Sequence, residues 1–238
     1  MRLGQRAMEA LRAEVRGRLM EGDSLVVAGA VALQGTWLLV KNERDRLQKI
    51  FSEGFLYDAE KSPELSGIAY KGFLDETEPQ KGASGGPSEK IFLERLGISP
   101  EDAGHCRAFY AMGTGGVLCA VWKMAEASGM GLEADLRKIP IRQETIEICE
   151  CFDLDPYRLL SEGSVLLGTD RGREMVQLCR QKGIPAAVIG TAVKGSGRIL
   201  RSGEITRYLD RPGQDEITKL PWGEKWKYYE IFPGQERK

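Results

Sequence analysis

The run Gly113-Thr114-Gly115-Gly116 lies where an alternating apolar segment gives way to a strongly helical one. This order predicts a strand, a glycine turn and a helix, with the run at the helix N-terminus. Unpaired backbone N–H groups and the helix dipole favour an anion there, and glycine lets a phosphate approach the backbone. The residues therefore predict a phosphate site over 113–116, although the same glycines also permit a tight turn packed against another domain.

A second polar turn, Ser161-Glu162-Gly163-Ser164, precedes a predicted central strand. Its residues could line the same cleft as the glycine run, and a capped turn explains them equally well. ATP or phosphate is the ligand that such a cleft would take. No residue of the chain is identified as catalytic at this stage.

The cysteines and the single histidine do not predict a metal centre. Five cysteines are an odd number scattered through apparent helices and strands, so we expect reduced thiols rather than a secreted disulfide framework. Cys149 and Cys151 lie two apart on a helical pattern and point to different faces, and only His105 could join them as an imidazole ligand. We expect His105 to have a structural or surface role.

Composition excludes several classes of protein. A chain of 238 residues with 42% apolar content can bury a substantial core. Its 34 basic residues nearly balance 35 acidic ones, which argues against nucleic-acid binding. The longest apolar runs are far shorter than a membrane span, and the N-terminal segment lacks the apolar core of a secretory signal. We therefore expect a cytoplasmic protein with no membrane contact.

Hydrophobic periodicity predicts an α/β fold with additions at both ends. Apolar residues recur every four positions from Leu3 to Leu19, typical of an amphipathic helix that ends at Gly22. Strand, helix and strand at 164–168, 171–182 and 186–191 form a β-α-β unit. The predicted organisation is an N-terminal helix over 1–22, a domain over 23–215 with a flexible insertion at 72–90, and an aromatic extension over 216–238.

Three stretches resemble the C-terminal domain of the superfamily that holds AIR synthase, HypE, selenophosphate synthetase and thiamine-monophosphate kinase. They are GDSLVVAGAVALQGTWLLVKN from Gly22, GGVLCAVWKMAEASGMGLEADLRKIPIRQETIEICECFDLDPYRLLSEGSVLLG from Gly115, and IPAAVIGTAV from Ile184. The likeness is greatest to HypE-like proteins. It implies a layered structure in which helices cover the outer side of a mixed sheet, and family members usually dimerise through their other, N-terminal domain.

The resemblance also implies two differences in domain content. The N-terminal half of the family carries its metal and nucleotide motifs, whereas the matching region here begins by residue 22 after one helix. We expect that half to be missing from the chain. HypE members that take a carbamoyl group end in a reactive cysteine, and this sequence ends at Lys238.

A further difference lies inside the matching domain. Before the paired glycines the family commonly reads His-Asp-x-Thr-Glu, and an ungapped alignment places Tyr110, Ala111, Met112, Gly113 and Thr114 there. Carboxylates can hold Mg²⁺ or transfer protons, whereas the alanine and threonine cannot replace them. We therefore expect the catalysis of the family to be lost at this position.

Two main functions remain open. One is a non-catalytic or regulatory domain that binds a ligand or partner. The alternative is a subunit of an ATP-dependent maturation or ligase enzyme whose nucleotide-binding half is a separate chain. A weaker third possibility is a homodimer with a small-molecule site at its interface. The expected partners are accordingly a second copy of the chain or a protein that supplies an ATP-binding domain.

Overall fold

A computed structural model describes residues 3–63, 89–96 and 105–223, and within them the chain has the predicted α/β fold. The strands are β1 (Arg16–Gly17), β2 (Ser24–Ala28), β3 (Cys106–Ala111), β4 (Gly131–Asp135), β5 (Val165–Thr169), β6 (Ala186–Val193), β7 (Arg198–Ser202) and β8 (Ile205–Tyr208). The α-helices are α1 (Gln5–Glu14), α2 (Leu33–Leu47), α3 (Glu53–Glu60), α4 (Glu89–Leu96), α5 (Gly116–Ser128), α6 (Gln143–Glu150) and α7 (Gly172–Gln181). Short 3₁₀ helices occur at Leu136–Lys138, Pro156–Arg158 and Glu216–Lys219.

The eight strands form one mixed sheet in the order β1-β3-β5-β2-β6-β4-β7-β8. The predicted β-α-β unit is present as β5, α7 and β6. Strand β2 lies between β5 and β6 and is antiparallel to both, so the two parallel strands of the unit are not neighbours. A segment more than 130 positions upstream of β5 therefore becomes the centre of the sheet.

Strand β2 is buried on both faces. Leu25 and Val27 belong to one hydrophobic cluster, whereas Val26 and Ala28 belong to another, as the two-residue period of a strand requires. Each of the four side chains is fully buried. Burial contributes about 1.5–3 kcal/mol for each large aliphatic side chain, which makes β2 a strong anchor for the loop that follows it.

Helices pack on both faces of the sheet. Residues of α1 and α5 share the cluster of Leu25, and residues of α4 and α7 share the cluster of Val26. A third cluster joins α2, α3 and α6 to the loop around Leu159 and to Ile217. The sheet thus lies between two helical layers, with the third cluster built around the helix that follows β2.

The N-terminal helix is shorter than the sequence pattern indicates. It ends at Glu14, and Arg16 and Gly17 pair with β3. Gly17 has a φ of +71°, and a Cβ atom there would lie 2.0 Å from the carbonyl oxygen of Arg107. This close backbone approach ends the helix, although Leu19 remains buried as its spacing predicts.

Parts of the predicted organisation fall outside the described residues. The flexible insertion at 72–90 lies there except for its last two residues, Glu89 and Lys90, which begin α4. Most aromatic residues of the C-terminal extension also lie there. The division at 22 and 215 stays a prediction, and Ile217 beyond it is fully buried in the third cluster. In the portion that the structure describes, no helix is long and apolar enough to span a bilayer.

Candidate functional site

The structure brings the two predicted loops together. The Ser161 N–H donates to the Gly113 carbonyl at 3.1 Å, and the Met112 N–H donates to the Ser164 carbonyl at 2.9 Å. The glycine run precedes α5 and the serine turn precedes β5, and β5 pairs with β3. The pairing of these two strands therefore places the loops side by side.

Gly115 and Gly116 both adopt left-handed backbone conformations, with φ of +80° and +65°. A Cβ atom on Gly116 would lie 2.5 Å from the carbonyl oxygen of Tyr157, and one on Gly115 would lie 2.8 Å from the Cβ of Cys119. Glycine is required at both positions for the tight entry into α5. Thr114, which lies between Gly113 and Gly115, is exposed.

The carboxylate of Asp215 lies at the N-terminus of α5. Its Oδ2 accepts from the Gly115 N–H at 2.6 Å, and its Oδ1 accepts from the Ile217 N–H at 3.1 Å. Asp215 is 7% exposed. Burial raises its pKa, while backbone N–H groups of Gly115, Ile217 and Leu160 act in the opposite direction. One amide of the predicted phosphate loop is therefore already bonded within the chain.

Asp215 was not among the predicted site residues. It lies 100 positions from Gly115, and its sequence signal is that of a cap for the short helix Glu216–Lys219. Asp215 does cap that short helix, since it accepts from the Ile217 N–H. The sequence pattern of a cap gives no sign of the second contact, with α5. The phosphate site over 113–116 stays a prediction.

The two serines of the second loop fix the entry into α2. Ser161 Oγ accepts from the Ala32 N–H at 2.9 Å and donates to the Leu159 carbonyl at 2.9 Å. Ser164 Oγ donates to the Ala30 carbonyl at 2.7 Å. Both serines are fully buried, and Glu162 is 8% exposed. The serine loop is therefore a polar clamp that joins the start of α2 to the glycine run.

Gln34, in the first turn of α2, is a polar residue that the sequence reasoning missed. It is fully buried, and neither Nε2 nor Oε1 has a hydrogen-bond partner in the part of the chain that the structure describes. Leaving a buried polar group unbonded costs about 1–3 kcal/mol. Thr36, equally buried, donates to Ala32 and hydrogen-bonds Thr145, each at 2.8 Å. The available signal was a lone glutamine in the apolar run VALQGTWLLV.

The backbone before Gln34 is also unusual. Ala32, the N-cap of α2, has a φ of +61° and offers no side-chain hydrogen bond to the helix. The first N–H groups of a helix have no intrahelical acceptors, so they depend on a cap or an external group. At the start of α2, Ser161 Oγ accepts from the Ala32 N–H and the Leu160 carbonyl accepts from the Gly35 N–H. Within the described residues, the N–H groups of Leu33 and Gln34 and the Gln34 carboxamide remain unbonded.

His105 lies apart from these loops, in an ionic chain at the start of β3. Its Nδ1 lies 3.0 Å from Asp170, which also binds Arg107 at 2.7 Å. Arg107 in turn contacts the buried carboxylate of Asp23 at 2.6 Å. The His105 hydrogen bond, with the nearby arginines, lowers the pKa of Asp170. This geometry gives His105 a structural contact.

Three of the cysteine thiols are deeply buried. Burial raises the pKa of Cys106, Cys149 and Cys179 to about 12, which keeps these thiols protonated near neutral pH. Among the residues described, no group of three or more His, Cys, Asp or Glu side chains is arranged to hold a metal ion.

A model of the family "AIR synthase related protein, C-terminal domain" matches residues 67–202, more than half of the chain. The chain belongs to this family. The resemblance found in the sequence is thereby confirmed, and the family match includes both candidate loops. The family match starts downstream of β2 and α2, although the first of the three stretches that resemble the family includes residues of both elements.

Curated relatives match over part of their length. The PurL subunit of phosphoribosylformylglycinamidine synthase from Thermosynechococcus vestitus is 30% identical over 138 residues, which are 56% of this chain and 17% of that protein. The carbamoyl dehydratase HypE of Rhodobacter capsulatus is 31% identical over 91 residues, 37% of this chain and 27% of that one. The matched region is thus a minor part of each relative.

The solved structures support the fold. Escherichia coli HypE superposes with a TM-score of 0.58 at 22% identity, over 88% of this chain and 54% of HypE. At that identity the likeness concerns architecture alone. The chain spans about half the length of the HypE chains it matches.

Proposed function

We propose that this chain is a HypE-like domain without catalytic activity of its own, which binds a ligand or a partner protein. The observation that carries the proposal is the Asp215 carboxylate on the Gly115 N–H at 2.6 Å. A side chain of the chain itself takes a donor that an anionic substrate would need. Ala111 and Thr114 stand where family members carry carboxylates, so neither Mg²⁺ binding nor proton transfer is supported there.

The proposed ligand surface consists of two loops and the helix start between them. It includes the glycine run (Gly113, Thr114, Gly115, Gly116), the serine turn (Ser161, Glu162, Gly163, Ser164) and the first turn of α2. The Ala32 N–H donates to Ser161 Oγ and the Ser161 N–H donates to the Gly113 carbonyl, and these two bonds join the three segments. ATP or phosphate are the ligands to try first.

An ATP hydrolysis assay on the purified chain with Mg²⁺ tests the proposal. We expect no turnover above that of a protein-free sample. Turnover that scales with protein concentration and falls in Glu162→Gln would contradict the proposal, because it would give the carboxyl group in the serine turn a catalytic role. Glu204→Gln, at an exposed position between β7 and β8, is the control for nonspecific damage.

The alternative is a subunit of an ATP-dependent maturation or ligase enzyme whose nucleotide-binding half is a separate chain. One solved neighbour in fold, a HypE–HypF complex, contains a HypE relative assembled with another protein, which makes assembly a reasonable expectation. Co-expression with a protein that carries a nucleotide-binding half tests this alternative. Co-purification and ATP hydrolysis by the pair would replace the first proposal, and separate elution without turnover would retain it.

The oligomeric state and location are proposals of the same kind. We propose assembly with a second copy or a partner, without nucleic acid or membrane, in the cytoplasm. Light scattering coupled to size-exclusion chromatography would distinguish a monomer from a homo-oligomer.

A further inference from the structure

The first turn of α2 contains buried polar groups that its surroundings do not satisfy. Both polar atoms of the Gln34 carboxamide lack a partner within the described segments, and the residue is fully buried. The helix cap at Ala32 provides no side-chain acceptor. In contrast, Thr36 and Ser161, which are close by and equally buried, each make two hydrogen bonds.

The backbone of this turn is held by the rest of the domain. Gly29 donates to the Pro185 carbonyl at 2.8 Å, Val31 donates to the Pro140 carbonyl at 2.8 Å, and Gly35 donates to the Leu160 carbonyl at 3.1 Å. These contacts come from three separate parts of the chain. These backbone contacts hold the turn in place. The amides that remain unbonded and the Gln34 carboxamide therefore need a partner from outside the turn.

The donors and acceptors of the turn define the chemistry of that group. The helix amides and Gln34 Nε2 donate, and the helix dipole favours negative charge. Gln34 Oε1 accepts, so the group must also carry one O–H or N–H donor. A hydrogen phosphate or phosphate monoester has both features, whereas sulfate near neutral pH has the oxygens without the O–H.

We propose that the first turn of α2, with Gln34 as its recognition side chain, is a phosphate-binding site. The proposal rests on the ligand-binding function above and specifies where the phosphate lies. At α5 the cap amide of Gly115 is bonded to the Asp215 carboxylate, whereas at α2 the cap amide of Ala32 is bonded to the neutral hydroxyl of Ser161. The phosphate therefore binds at α2, and the glycine run supports the neighbouring loop.

Binding requires neighbouring side chains to move while the backbone of the turn stays in place, because Gln34 is fully buried in the structure. Trp37 is three residues further along α2, so it lies on the same side of the helix. Its indole is partly buried, with the Lys41 ammonium 4.8 Å from the ring centre. Lys41, four residues beyond Trp37, places a positive charge on this side of the helix.

Titration calorimetry and NMR of the full chain test the site, with potassium phosphate and potassium sulfate compared at equal ionic strength and about pH 6.5. We expect phosphate to bind at least about tenfold more tightly than sulfate, because the lost hydrogen bond to a charged group is worth that factor or more. The ¹H–¹⁵N signals of the Gln34 carboxamide should shift during the phosphate titration. Ribose 5-phosphate, compared with inorganic phosphate, shows whether the natural source is an organic monoester.

Two variants locate the binding. Gln34→Met keeps the length of the side chain and should weaken phosphate binding at least about tenfold. Gln48→Met, at the exposed opposite end of α2, is the matched control and should leave the affinity unchanged. If Gln34→Met does not fold, the shift of the Gln34 carboxamide signals in the unmodified chain shows whether phosphate binds there.

Three outcomes would overturn the site. They are the absence of phosphate binding, equal binding of sulfate with no change at the Gln34 carboxamide, and binding that Thr114→Asp abolishes but Gln34→Met retains. The second outcome means an adventitious ion only, and the third places phosphate at the glycine run. None of them bears on ATP hydrolysis or co-purification, which test the proposed function separately.

Discussion

The N-termini of α5 and α2 differ in how their backbone amides are satisfied. At α5, the sequence provides two glycines, and the chain returns about 100 residues later to place the Asp215 carboxylate on Gly115. At α2, the cap is an alanine in a left-handed conformation, and a fully buried glutamine has no partner among the described residues. Both helix starts therefore have a cap amide bonded within the chain, to a carboxylate at α5 and to a neutral hydroxyl at α2. The unbonded carboxamide of Gln34 distinguishes α2. Unsatisfied polar groups in an otherwise well-packed domain are typical of functional positions.

The largest expected effect is at the N-terminus of α5. Gly116→Ala should lower the free energy of unfolding by about 3 kcal/mol, since the new Cβ meets backbone atoms and the φ is +65°. Gly129→Ala, at the C-terminal end of α5, has a φ of +68° but nothing within 4 Å, and should cost only about 1 kcal/mol. Urea unfolding measures both. Equal losses would show that the contact with Tyr157 does not determine the requirement for glycine.

Removal of the internal anion should have the next largest effect. Asp215→Ala leaves backbone donors of Gly115 and Ile217 unbonded in a buried place, so we expect a loss of about 2 kcal/mol in urea unfolding. Asp135→Ala removes a comparable cap from an exposed short helix, where the bond to Arg137 is 3.0 Å. That control should lose about 0.5–1 kcal/mol. If the two variants lose the same amount, the contact between Asp215 and α5 contributes little.

At α2 a substitution should raise the free energy of unfolding instead of lowering it. Gln34→Met removes an unbonded carboxamide and should raise the free energy of unfolding by about 1 kcal/mol. Thr36→Val removes two hydrogen bonds from the same helix and should lower it by about 1 kcal/mol. Thermal unfolding of the two variants side by side measures the difference. A destabilised Gln34→Met would show that the glutamine has a bonded structural role.

The smallest expected effect is a pH dependence from Asp215. Burial raises its pKa above the unfolded value, so the folded state binds the proton more tightly. Its contribution to stability is therefore fully present below the unfolded pKa and decreases as pH rises through the folded pKa. The difference in urea midpoint between the unmodified chain and Asp215→Asn should be more favourable to aspartate at low pH than at neutral pH. The opposite trend would mean that the backbone N–H groups outweigh burial.

Much of the fold could be predicted from local patterns. The alternation in β3, the helical run after the glycines and the β-α-β order around α7 each predict an element that the structure contains. The helix that begins at Gln5 is an exception in length, because a spacing of four continues through Leu19 while the backbone turns at Gly17 to pair with β3. Periodicity reports which side chains are buried, and in this segment it does not distinguish a helix from the strand that follows.

The candidate site was predictable only in part. The glycine run and the serine turn could be recognised as neighbours of a cleft, and the hydrogen bond between Ser161 and Gly113 brings them together. Asp215 and Gln34 could not be recognised. The role of Asp215 depends on a contact across 100 residues, and that of Gln34 depends on which polar groups surround it after folding.

The family, most of the strands and helices and the glycine turn before α5 could be inferred from local sequence patterns. These properties follow from side-chain burial at fixed periods and from local backbone sterics, which act over a few residues. Folding placed β2 between β5 and β6, brought Asp215 to α5 and left Gln34 without a partner among the described residues. Those outcomes depend on contacts between distant segments, because a buried hydrogen bond forms only where packing places a donor opposite an acceptor.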